Sequence, residues 1–108
     1  MMPKYDLIVY KALTNPYMRL VRVIDGKQWD VAAGALNRTA TWGDTDIALT
    51  DDTDHIGGIP VTIPATLPGG SYDMLFYDAA SPAKTDTVEV GKRIEWNGKN
   101  LLGLPQDL

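Results

Sequence analysis

The sequence predicts an all-β domain, an immunoglobulin-like or related β-sandwich of about seven to eight short antiparallel strands. Two observations carry that expectation. Runs of roughly five to eight residues rich in Val, Ile, Tyr and Thr recur along the chain. Turn signals built on Gly, Pro, Asn and Asp separate them, at intervals of about ten residues. A small Greek-key barrel is the alternative closure of the same strands. The 108 residues fit one domain, placed at 1–100, followed by a C-terminal tail at 101–108.

The first strand is read in "YDLIVYKAL" (5–13), where Tyr5, Leu7 and Val9 share one face and Asp6, Ile8 and Tyr10 the other. Pro16 closes it, because proline offers no N–H to a ladder. "YMRLVRVI" (17–24) is the second strand, with Met18 and Leu20 alternating with Arg19 and Val21. Asp25-Gly26 then predicts a hairpin with a type I′ turn, which needs positive φ at both central residues. "KQWDV" (27–31) is its return strand. Residues 32–43 read as an irregular loop or a short edge strand, since Gly34 and the threonines oppose a long helix.

"DIALT" (46–50) places Ile47 and Leu49 on one face. "GIPVTIP" (58–64) carries two prolines, which suits an edge strand or a bend between sheets. "SYDMLFYD" (71–78) puts Tyr72, Met74 and Phe76 on one side and Leu75 and Tyr77 on the other, the pattern of a central strand. "TDTVEVG" (85–91) and "KRIEWNG" (92–98) are read as two closing strands, with Asn97-Gly98 a turn or stop.

Composition removes several functions. Cysteine is absent, so disulfides, thiol catalysis and thiolate metal sites are excluded together. The formal net charge is −4 and the ten basic residues are scattered, which argues against a phosphate-gripping surface and hence against nucleic acid. No apolar run approaches the roughly 20 residues of a membrane helix. The N-terminal apolar stretch is broken by Asp6 and Lys11, so it does not read as a secretory leader, and the chain is expected to fold in the cytoplasm where it is made.

The most conspicuous polar stretch is "TDDTDHIGG" (50–58), with Asp51, Asp52, Asp54 and the single histidine, His55. An EF-hand read from Asp52 fails at two ligands, because its fifth position is Ile56 and its twelfth Ile63. Catalytic zinc needs more N, S or O donors than one histidine supplies. Ser71 and Ser81 lie outside any nucleophile-elbow motif. The two glutamates, Glu89 and Glu95, fall in predicted strands and not in a cleft. The expectation is a solvated connection with no catalytic residues, no metal and no cofactor. The chain is therefore expected not to be an enzyme.

Two features point outward. Trp29 and Trp96 sit within predicted strands and read as core or subunit-interface residues, whereas Trp42 lies in a loop and is the candidate ligand contact. Leu101, Leu102, Leu104 and Leu108 follow the last strand. Such an apolar tail either folds back on its own domain or docks on a neighbouring chain, with Leu101, Leu102 and Leu104 as the docking residues.

The motif order of the second half resembles small β-sandwich modules encoded among the virion structural genes of tailed bacteriophages and prophages. The matching positions are a strand ending in Leu49-Thr50, the Gly57-Gly58 step into a strand with Pro60, and Leu67-Pro68, Gly70 and Tyr72 before a hydrophobic strand. Asp86 follows, then Ile94, Trp96 and Gly98. The resemblance covers about residues 46–98, with the "DGKQWD" hairpin matching more loosely. It implies a non-enzymatic virion component: capsid decoration, a head–tail or collar part, or a fibre-associated protein. The implied partners are capsid, portal or tail proteins and further copies of the chain, assembled in the bacterial host cytoplasm. The alternative function is a carbohydrate- or receptor-binding module centred on Trp42.

Overall fold

A computed structural model describes residues 6–38, 45–49 and 58–108. These residues form an antiparallel all-β sandwich, as the sequence predicts. The strands are β1 (Leu7–Tyr10), β2 (Pro16–Arg22), β3 (Gln28–Asp30), β4 (Ala35–Asn37) and β5 (Ile47–Ala48). They continue with β6 (Gly58–Val61), β7 (Gly70–Asp78), β8 (Val90–Trp96) and β9 (Gln106–Asp107). The large sheet runs β4-β3-β2-β7-β8-β9, with β5 added on β2, and β1 pairs with β6 in a small second sheet.

Alternation decides which face is buried. Met18 and Leu20 on β2, Tyr72, Met74 and Phe76 on β7, and Ile94 and Trp96 on β8 all point into the core. The register places Met18 beside Phe76, Leu20 beside Met74 and Tyr72 beside Ile94, so these side chains make continuous rows across the sheet. The small sheet supplies Val9, Ile59 and Val61 to the same core. Its pairing of Leu7 with Val61 and Val9 with Ile59 turns Ile8 and Tyr10 to the opposite face. Burying each large apolar side chain contributes about 1.5–3 kcal/mol. Two buried polar tips find backbone acceptors: Tyr72 Oη donates to the Pro68 carbonyl at 2.6 Å, and Trp96 Nε1 to that of Leu67 at 3.0 Å. Trp29 and Trp96 are both core residues.

Two local expectations are corrected, and a third resolves to one of its two alternatives. The Asp25-Gly26 hairpin is not a type I′ turn, because only Gly26 has positive φ, at 73°. A longer connection closes instead, with Arg22 N donating to Lys27 O and Gly26 N to Arg22 O. Asp25 is occupied by accepting from the Arg22 guanidinium and from Lys27 N. The predicted strands 85–91 and 92–98 are a single strand, β8. Residues before Val90 are held in a turn, where Asp86 N donates to Ala83 O and Asp86 Oδ2 accepts from Ala83 N. The stretch 32–43 contributes β4, an edge strand on β3.

Candidate functional site

The C-terminal residues close the large sheet of their own chain. Asn97 Oδ1 accepts from the N–H groups of Lys99 and Asn100, and Gly98 takes a positive φ of 97°, so the chain reverses after β8. Leu101 then bridges Trp96, and Leu102 N donates to Glu95 O at 2.9 Å. The ladder lapses at Gly103, Leu104 and Pro105 and resumes at β9, where Gln106 and Asp107 pair with Arg93 and Lys92. Leu108 N donates to Gly91 O, and its side chain rests over Gly91. Of the three leucines named from sequence, Leu101 packs on the core while Leu102 and Leu104 are exposed, Leu104 at 90%.

The outward bulge of the tail meets β1. A groove runs there, lined by Ile8, Tyr10, Lys92, Leu104 and Pro105 together with the inward pair of β1. Tyr10 is 68% exposed. Among the described residues, β1 has a hydrogen-bonded neighbour on one side alone, β6. The strand "LIVY" contains no proline and no charge. Natural edge strands are usually blunted by lysine, proline or a bulge, because an open row of N–H and C=O groups templates pairing with another chain. Apolar side chains therefore flank a strand edge that carries none of these features.

A second assembly lies on the outer face of the large sheet. Tyr17 stacks on Tyr77 with ring centroids 4.9 Å apart, and Tyr17 Oη donates to Asp86 Oδ2 at 2.5 Å. Burial first, and the Asp86 carboxylate second, push the Tyr17 hydroxyl well above its ordinary range. The same hydrogen bond, with help from Ala83 N, holds Asp86 below the ordinary carboxylate range. Next to it, buried Arg19 donates through Nε to Thr45 Oγ1 at 2.9 Å and through Nη2 to Gln28 Oε1. Asp46 Oδ1 lies 4.0 Å from Arg19 Nε, an ion pair too long for a hydrogen bond, and among the described residues this buried oxygen has no hydrogen-bond donor. Desolvation raises the Asp46 carboxyl, Arg19 opposes that rise, and Asp86 adds to it.

Elsewhere on this face Asp73 accepts a two-pronged bond from Arg93, at 2.8 and 3.2 Å, and Ser71 donates to Glu95. Among the described residues no three acidic or histidine side chains gather as a metal would require. Trp42 and the stretch Asp51, Asp52, Asp54 and His55 lie outside the described residues.

Sequence reasoning did not find the Tyr17–Asp86 pair or the Arg19–Asp46 cluster. Their members are separated by many residues and carry no local spacing signal; only the register of β2 against its neighbours unites them. The groove was half visible, as an apolar tail, but its contact with β1 was not. No protein-family model, no curated protein and no solved structure matches the chain.

Proposed function

We propose that the protein is a non-enzymatic structural and interaction module, a subunit of a tailed-phage virion that works by packing against further copies of itself and against neighbouring virion proteins. The observation that carries this reading is the groove where the bulge at Leu104 meets the uncharged strand β1. The first occupant we assign to it is β1 of a second copy. A two-fold axis beside an open antiparallel edge sets identical patches against each other, so a single apolar strand serves both sides of an isologous contact. Ile8 and Tyr10 flank that edge and Leu104 extends the patch. The groove's cation, Lys92, is already neutralised by Asp107 of the same chain, so a second copy meets no unpaired charge there. The motif order over residues 46–98 supports a virion context for such a subunit.

The test is banding of particles on a density gradient after infection or prophage induction in cells that encode the chain. It is expected in the particle band, in a fixed ratio to the other virion proteins. A chain that stays entirely in the soluble fractions, with complete particles formed without it, overturns the reading.

A further inference from the structure

We infer that proton uptake by Asp46 fastens β5 to the large sheet, so that this strand is a pH-sensitive latch. β5 is slight. It pairs with β2 through Ile47 opposite Met18 and Ala48 opposite Tyr17, and Leu49 N adds one bond to Pro16 O at 3.1 Å. Ile47 and Leu49 pack against the core, and buried Thr45 accepts from Arg19. These contacts favour docking.

Asp46 opposes them. Docking leaves its side chain 11% exposed and, among the described residues, one carboxylate oxygen without a hydrogen-bond donor. A buried polar atom with no partner costs free energy that water would otherwise repay, and more so when it is charged. Arg19 offsets part of this cost from a distance, since its Nε stands 4.0 Å from Asp46 Oδ1 while donating to Thr45, and its Nη2 donates to Gln28. Among the described residues, the neighbouring acid worsens its position and the two tyrosines beside it are engaged elsewhere. Asp86 adds like charge from the loop before β8, while the Tyr17 hydroxyl donates its hydrogen bond to Asp86, and Tyr77 stacks on Tyr17.

The direction of the pH effect follows. A carboxyl that ionises less readily when β5 is docked than when it is released binds more protons in the docked state. Docking therefore tightens as pH falls through the window between about 3.9, the ordinary carboxyl value, and the raised docked value. It loosens as pH rises through the same window. Burial, the leading cause of the shift at Asp46, sets this sign.

The experiment combines two NMR readouts on the full chain. The Asp46 carboxyl carbon is titrated, and the hydrogen-exchange protection of the Leu49 amide is measured at about pH 3 and about pH 7.5, bracketing the ordinary value near 3.9. Asp46 is expected to titrate above that value. Leu49 protection is expected to be higher at the acid end, by about tenfold for each pH unit of the shift. In Asp46→Asn, protection is expected to be raised at neutral pH and to lose this dependence. Asp46 titrating at or below about 3.9 overturns the inference, as does equal Leu49 protection at both ends, or an unchanged pH dependence in Asp46→Asn. The wild-type titration decides the matter alone if the variant does not fold.

Discussion

Tyr17 does three things at one position: it pairs in the β2–β7 ladder, stacks on Tyr77, and donates to Asp86 across the outer face. Only the third needs its hydroxyl. Tyr17→Phe should therefore keep the stack and release Asp86 toward the ordinary carboxylate range. Because the folded state lowers the Asp86 value, its stabilising effect is fully present above about 3.9 and is lost as pH falls through the lowered value. The thermal midpoint of Tyr17→Phe should lie below wild type at neutral pH, and the gap should narrow in acid. A gap that is constant with pH would show that Asp86 is not held by this hydroxyl. At the same scale, Tyr72→Phe removes the donor to Pro68 O within the core side of β7 and should cost about 1 kcal/mol in urea unfolding. What was legible here was the identity of core residues, since alternation placed Tyr72, Met74 and Phe76 together. The polar pairs were not legible, because the residues of Tyr17–Asp86 come from opposite halves of the chain and pair only after the strands align.

At the scale of elements, the chain shows where turn chemistry informs and where it misleads. Asp25-Gly26 and Asn97-Gly98 both mark reversals, and in each the glycine holds the positive φ. The exact loop was not readable, because Asp25 is drawn into a bond with Arg22 that also holds its carboxyl well below the ordinary range. The sequence places Gly91 at a strand boundary, yet it sits inside β8. Its missing side chain leaves room for Leu108, to which a Cβ would approach within 3.0 Å. Gly69 is tighter in a different way. A Cβ there would stand 3.2 Å from the Trp96 carbonyl oxygen and 3.3 Å from Asn97 C, both backbone atoms that cannot swing aside. Gly69→Ala should destabilise by about 1–3 kcal/mol, the range of overpacked sites, by shifting the urea midpoint at constant slope. Gly91→Ala should cost less, because the Leu108 side chain can turn away. Equal losses at the two glycines would contradict this distinction.

At the scale of the molecule, two sheets of unequal size enclose one core and leave an apolar seam where β1 meets the tail bulge. The sandwich was legible from strand spacing, and the central place of β7 from apolar residues on both its faces. The tail illustrates the limit. Its leucines announced that it would be covered or would cover something, but a sequence without partners cannot reveal that Leu101 bridges Trp96 while Leu104 is pushed outward. Because residues 101–108 complete the sheet edge, a chain ending at Lys99 should lose stability as well as any contact made by the tail. Point changes on exposed side chains separate the two effects. Tyr10→Lys and Leu104→Lys alter exposed positions, so each should leave the thermal midpoint close to wild type, within about 0.5 kcal/mol of stability. Solution mass by light scattering on wild type and these two variants tests the central claim most directly. The account predicts a defined oligomer for wild type and a shift to monomer in both lysine variants. A wild-type monomer across the accessible concentration range, or lysine variants with the wild-type mass, would contradict it.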